Sequence, residues 1–245
     1  MRVRIVVSYD GTNYCGWQRQ KNGLSVQEVV EIAIEKLTAE KVSVVGSGRT
    51  DSGVHAKGQV AHFDTNSSIP AERFYLALNT VLPDDIKVVS SAEASENFHA
   101  RFSAKKKTYS YNFYVSDVIL PLVDRYACRL DKTPDLAAMT LAASAFCGEH
   151  DFAAFRGTGS AVKDTVRSIY DITFKKTEGG FSVYVTGNGF LYNMVRVMVG
   201  ALLSVGSGET SVSAIGDALL SGKRNKAFKT LPAKGLTLEN VGYDV

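Results

Sequence analysis

Cysteine is scarce. The 245 residues hold three, Cys15, Cys128 and Cys147, scattered and without a CxxC pair. That excludes a disulfide framework and a cysteine-rich zinc module, and predicts reduced thiols in a cytosolic protein. Long apolar runs are missing too. The most apolar stretch, FLYNMVRVMVGALLSV, is too short to span a bilayer and carries Asn193 and Arg196 inside it, so a buried helix is expected and no membrane role. The opening MRVRIVVSYDG has only residues 5–7 as a continuous apolar run, which predicts no signal peptide. No GxxxxGK[ST] phosphate loop and no strong zinc spacing occur. Charge of one sign is not dominant: 28 Lys and Arg face 25 Asp and Glu, a net +3 that is compatible with nucleic acid. No low-complexity linker divides the chain, so its halves are expected to share one continuous sheet. With 45% hydrophobic residues there is enough to build a sizeable core.

What is present is a regular order of elements. Residues 3–9 read as a strand. SVQEVVEIAIEKL reads as a helix: Ser25 and Glu28 spell a capping box, and apolar residues recur at helical spacing. Residues 42–45 and 59–63 read as short strands around a glycine-rich loop. Pro70 opens a helix running to Leu78, Pro83 prevents its extension, and IKVVSSAEA is a strand. This β-α-β-β-α-β order is the ferredoxin-like unit. The second half repeats it. KTYSYNFYV is a strand, and Thr133 and Pro134 cap and open a helix to about Phe146. SIYDITFKK and FSVYVTG pair across TEGG, the apolar helix spans 191–203, an extra helix spans 213–220, and GLTLENVGY closes as a strand. The predicted fold is α+β: two ferredoxin-like, RRM-like halves, residues 1–104 and 105–245. They are expected to share a mixed, mainly antiparallel sheet with helices on one face and a cleft between the halves.

Three residues stand out as chemistry. Asp51 sits in GSGRTDSGVHAKGQVAHF, among Gly46, Gly48, Gly53 and Gly58, with Arg49 and His55 close by. An aspartate of this kind either stabilises its own loop as an Asx turn or is held rigidly towards a substrate. Arg196 is the only charged residue between positions 189 and 208. It either snorkels to water or meets a carboxylate from elsewhere in the chain, for which Asp51 is the natural candidate. An arginine beside Asp51 would keep it ionised at neutral pH. Tyr109 follows Lys105, Lys106 and Lys107. It is either a core aromatic after a solvated charge run or a stacking platform beside phosphate-binding lysines. The glycines of RGTGSAVKD, residues 156–164, predict local mobility.

With these residues in view, GRTDSGVHAKGQVAHF closely resembles the signature of the TruA-type tRNA pseudouridine synthases. SYDGTNYCGWQRQ, VQEVVEIAIEKL, ALNTVLPDDI, FHARFSAKKKTYSY, HDFAAFR, GFLYNMVRVMVG and PAKGLTLENVGY fit the same family in the same order. Only the residue after Asp51 and the one before Pro232 depart from the typical pattern, neither of them catalytic. The resemblance implies that Asp51 is the catalytic aspartate and nucleophile, that Tyr109 stacks on the uracil and serves in proton transfer, and that Arg196 pairs with the aspartate. Arg49 would help to flip the target nucleotide. His55, Lys105, Lys107 and Arg156 are the remaining expected substrate contacts. The resemblance further implies no cofactor and no metal, a cytoplasmic homodimer, and a tRNA anticodon arm as partner, modified at uridines 38 to 40.

Two other classes of function fit part of the sequence. A metal hydrolase would draw on Asp51, His55, His62 and Asp64, with His62 and Asp64 on one strand face by alternation. A non-catalytic RNA-binding protein could use two RRM-like folds, but the RNP1 aromatic pattern is missing. A two-carboxylate glycosidase lacks a second acid placed by motif.

Overall fold

The structure, a computed structural model, describes residues 1–21, 23–159 and 162–244. The elements run β1 (Arg2–Tyr9), α1 (Val26–Thr38), β2 (Val45–Gly46), β3 (His55–Asp64), α2 (Phe74–Asn79), β4 (Ile86–Ala94), β5 (Ala104–Val115) and α3 (Pro121–Asp124). They continue with β6 (Cys128–Leu130), α4 (Leu136–Ala143), β7 (Gly148–Asp151), β8 (Val166–Thr177), β9 (Gly180–Gly187), α5 (Met194–Gly206), α6 (Ala214–Ser221) and β10 (Leu236–Tyr243). Two compact units result. The first is Met1–Lys105 together with the segment from Thr237 onward, and the second is Lys106–Leu236.

In the first unit β1 pairs antiparallel with both β3 and β4, and β2 pairs antiparallel with β3. The order β4-β1-β3-β2 is that of a split β-α-β unit. β10 joins β3 in parallel through Thr237 and Leu238. Alternation along β1 and β3 buries Val3, Ile5, Val7, Ala61 and Phe63 on the face covered by the helices. There Phe63 meets Phe74 of α2 edge to face at 5.3 Å. Each such large apolar side chain contributes roughly 1.5–3 kcal/mol by leaving water.

The expected cap of α1 is half made. Ser25 Oγ accepts the Glu28 amide at 3.2 Å, while the Glu28 carboxylate holds Arg19 at 3.3 Å. The strand expected over 42–45 shrinks to Val45–Gly46. The reason is a competing partner: the Val44 amide donates to the buried Glu31 carboxylate of α1 at 3.0 Å and so leaves the ladder.

In the second unit β5, β9, β8 and β7 form an antiparallel series, and β6 lies parallel to β5. β8 and β9 turn across Glu178 and Gly179, the expected hairpin. The set β5-β9-β8 repeats the order and directions of β1-β3-β2. The helices repeat as well, since α4 falls between β5 and β8 as α1 falls between β1 and β2. The duplication is therefore one of topology. The start of α4 corrects the expected cap at Thr133 and Pro134. Asp135 is the cap, its Oδ1 accepting the Ala137 and Ala138 amides at 2.9 and 3.0 Å. α5 begins at Met194 because Asn193 takes a left-handed conformation, φ 58°, ahead of it. Among the described residues no helix is long and apolar enough to cross a membrane.

Candidate active site

Asp51 lies on the eight-residue connection between β2 and β3, half-buried, and everything around it is held. Behind it, Thr50 is buried. Its hydroxyl meets the Tyr9 hydroxyl at 2.8 Å, and its carbonyl accepts the Trp17 amide at 3.2 Å. Ser47 Oγ donates to Gln59 Oε1 at 2.6 Å, and the Gln59 amide returns to the Gly48 carbonyl at 2.9 Å. The Val54 amide closes a turn on the Asp51 carbonyl at 3.1 Å, and Ser52 Oγ donates to the Tyr14 carbonyl. Gly16 is the keystone. Its φ is +103°, and a Cβ there would stand 2.4 Å from the Thr50 carbonyl oxygen. Only glycine lets segment 14–18 lie so close against the Asp51 loop. Burial pushes the Tyr9 phenol far above its ordinary value, so it stays neutral and serves as a fixed hydrogen-bonding partner.

The same connection carries two more expected site residues. Arg49 is exposed, its Nε 3.4 Å from Gln18 Oε1. The resemblance groups His55 with the substrate contacts. The structure places it buried at the first residue of β3, 4% exposed, where Nδ1 accepts the Gly11 amide at 3.1 Å. His55 thus ties the segment after β1 to the end of the Asp51 loop.

Tyr109 and Arg196 belong to the second unit. Tyr109 sits on β5 opposite Val185, 8% exposed, and meets Phe190 edge to face at 5.3 Å. Phe190 is the second residue of the GFLYNMVR segment, so two of the expected motifs meet at this contact. Arg196 is half-buried on α5. Its Nε donates to the Leu231 carbonyl and its Nη1 to Asn193 Oδ1, each at 2.6 Å. The Leu231 amide returns to the Arg196 carbonyl at 3.4 Å. Next along the chain, the Pro232 carbonyl accepts the buried Tyr111 hydroxyl at 2.7 Å. Leu231 and Pro232 therefore hold both the arginine and the strand that carries Tyr109.

Arg156 is braced from its own unit. Its Nη1 donates to the Val162 carbonyl at 2.6 Å, and Arg224, which the motifs did not reveal, donates to the Ala154 and Arg156 carbonyls at 3.0 and 2.8 Å. Gly157 packs against Tyr192 and Asn193, with its amide donating to the Tyr192 carbonyl at 2.7 Å, which joins HDFAAFR to the start of α5. Lys105 is exposed and 3.0 Å from Asp244. Lys107 is half-buried on β5 opposite Gly187. Of the segment expected to be mobile, Ser160 and Ala161 lie outside the described residues.

The residues that a metal hydrolase would need are engaged elsewhere in the first unit. His62 Nδ1 accepts the Ala100 amide at 3.1 Å, and Asp64 takes both arms of the Arg2 fork at 2.8 Å. Arg2 holds the Asp64 carboxyl below its ordinary range. Among the described residues no three His, Cys, Asp or Glu side chains gather as a metal site.

A duplicated split β-α-β chain with an aspartate loop set against a close-approach glycine is the setting of these residues. Residues 5–103 and 142–244 match the family model described as tRNA pseudouridine synthase. The chain belongs to that family. It is 47% identical over 241 residues to tRNA pseudouridine synthase A of Thermoanaerobacter sp. (strain X514), covering 98% of this chain and 99% of that protein. It is 48% identical over 243 residues to the protein of the same name from Ruminiclostridium cellulolyticum, covering 99% of each. The Clostridium acetobutylicum protein of that name is 47% identical over 242 residues, covering 98% of this chain and 99% of the relative.

Proposed function

We propose that this chain isomerises uridine to pseudouridine in the anticodon arm of tRNA, at positions 38 to 40. The observation that carries the reading is the Asp51 loop, clamped by Gly16, Tyr9 and Trp17, in a chain that matches named relatives of the family over nearly its whole length. The target base leaves its stack at a cost of a few kcal/mol. Asp51 acts at the ribose of the flipped nucleotide. The N1–C1′ bond breaks, the detached uracil turns, and C5 bonds to C1′. C5 then loses its proton while N1 gains one, so nothing is consumed and no cofactor is required. Tyr109 holds the uracil and serves the proton transfer at C5, Arg196 pairs with Asp51, and Arg49 helps to empty the stack. Lys105, Lys107 and Arg156 meet phosphates, while His55, expected as a substrate contact, is buried and instead positions the Asp51 loop.

The protein acts as a cytoplasmic homodimer in this reading. An exposed apolar run supports that assembly: Val118, Ile119 and Leu122 are 62%, 63% and 95% exposed. A run of that kind is costly to leave in water and fits a second copy. The test is tritium release from C5-labelled uridine in whole tRNA. The wild-type chain should release label, and Asp51→Asn, which keeps the shape and loses the carboxylate, should release none while binding tRNA within a few-fold. Turnover near wild type in that variant would refute the assignment.

A further inference from the structure

The segment that follows β4 crosses the face of the first sheet opposite the helices, and it is built with unusual care for a surface turn. Arg2 donates to the carbonyls of Glu96 and Phe98. The Ala100 amide donates to His62 Nδ1 at 3.1 Å, and the Ala100 carbonyl accepts the Tyr243 hydroxyl at 2.7 Å. His99 and Ser103 exchange two bonds, amide to Oγ at 3.1 Å and amide to carbonyl at 2.9 Å. His99 Nδ1 then accepts the amides of both Arg101 and Phe102 at 3.2 Å. At the tip of this locked turn Phe102 is 76% exposed. One face of its ring lies on the His99 imidazole, centroids 4.3 Å apart and planes 29° off parallel. The Arg101 guanidinium stands 5.7 Å from the ring centre.

A phenylalanine left so exposed loses the free energy that burial would return, yet the backbone holds it there rather than letting it fold in. We propose that Phe102 is a stacking platform for an unpaired base of the RNA strand, with Arg101 and the lysines after it meeting the flanking phosphates. This rests on the reading of tRNA as substrate and adds to it a contact outside the reacting nucleotide. Charge decides between RNA and an apolar protein partner. From Asn97 to Ser116 the chain carries four cations, Arg101, Lys105, Lys106 and Lys107, and no acid. Aromatic rings interleaved with cations suit single-stranded RNA, and each stacked base strengthens binding by a sequence-tolerant amount.

The experiment measures tRNA binding by fluorescence polarisation for the wild type, Phe102→Ala, Phe102→Leu, Phe102→Trp and Arg101→Gln, with thermal unfolding as a control for folding. Phe102→Ala and Phe102→Leu should bind roughly fivefold to a hundredfold more weakly, and Phe102→Trp at least as well as wild type. The slope of log affinity on log salt should be unchanged in Phe102→Ala and shallower in Arg101→Gln. The indole introduced by Phe102→Trp should be quenched by tRNA but not by a fully paired duplex; the native Trp17 is 2% exposed and contributes a constant background. Wild-type binding by both Phe102→Ala and Phe102→Leu, with no quenching of that indole, overturns the platform and leaves the synthase reading intact. Failure of the wild-type chain itself to bind tRNA overturns both.

Discussion

Gly16→Ala should damage catalysis from outside the catalytic residues, and its size can be worked out. The backbone at Gly16 has φ +103°, a region that costs an alanine about 1–3 kcal/mol. The new methyl would also meet the Thr50 carbonyl oxygen at 2.4 Å and the Asp51 carbonyl carbon at 3.1 Å. Real Cβ atoms essentially never approach below 3.0 Å, so the Thr50 carbonyl must retreat by about 0.6 Å. That same carbonyl accepts the Trp17 amide, a bond worth about 1 kcal/mol. Stability should fall by about 2–4 kcal/mol. Asp51 is the next residue and moves with the loop. Displacements of about 1 Å at a reacting centre cost on the order of a hundredfold, so single-turnover rate should drop roughly tenfold to a hundredfold. The tRNA affinity should change little. Gly222→Ala is the control: φ there is +65°, with nothing within 4 Å of an added Cβ, so it should cost about 1–2 kcal/mol and leave the rate alone. The two variants are compared by urea unfolding and by tritium release under single-turnover conditions. If Gly16→Ala matches Gly222→Ala in stability and keeps the wild-type rate, close approach does not position the loop and the reasoning fails.

Arg196→Lys should recover only part of the activity lost in Arg196→Met, because one ammonium cannot serve the Leu231 carbonyl and Asn193 Oδ1 as two separate guanidinium nitrogens do; equal rates for Lys and Arg would show that positive charge alone suffices. Tyr109→Phe keeps the ring that packs on Phe190 and should bind tRNA normally while turnover collapses; a near-normal single-turnover rate would leave Tyr109 with a stacking role only. Burial is the main cause that lowers the His62 imidazole below its ordinary 6.5, with Arg2 and His99 adding to it, so the folded state resists the proton that the unfolded chain accepts. Stability should therefore be full above pH 6.5 and fall as pH drops through that value towards the lower folded one, a slope that His62→Gln should flatten in urea titrations; an unchanged slope would assign it to other groups.

Local chemistry made much of the fold legible. Ser25 names the start of α1, the TEGG turn names the β8–β9 hairpin, and IKVVSSAEA gives the bounds of β4. What stayed hidden depends on partners distant in sequence. Nothing in residues 42–45 says that Glu31, thirteen residues earlier on α1, will take the Val44 amide. Asp135 outdoes Thr133 as a cap because its carboxylate reaches two free amides, a matter of geometry rather than spacing. GLTLENVGY reads plainly as a strand, but its parallel pairing with β3 leaves no trace in its own residues. At the site, the unusual residues Asp51 and Arg196 could be picked out by contrast with their neighbours. The carbonyls of Leu231 and Pro232 could not, since a backbone acceptor has no side-chain signature. Gly16 had a faint one, a glycine in a loop between aromatics, whose meaning appears only beside Thr50.

The repeated topology has a consequence for how such a chain can be altered. One corresponding connection is longer in the first copy: residues 47–54 lie between β2 and β3, but only Glu178 and Gly179 between β8 and β9. The opened connection carries Asp51, while the corresponding corner of the second copy stays a tight two-residue turn. Lengthening a loop costs only about 0.6 kcal/mol per doubling, so the Glu178–Gly179 corner is the natural place to graft a new loop, a tag or a second recognition element. The host architecture has already shown, in its other copy, that this same corner can carry eight residues.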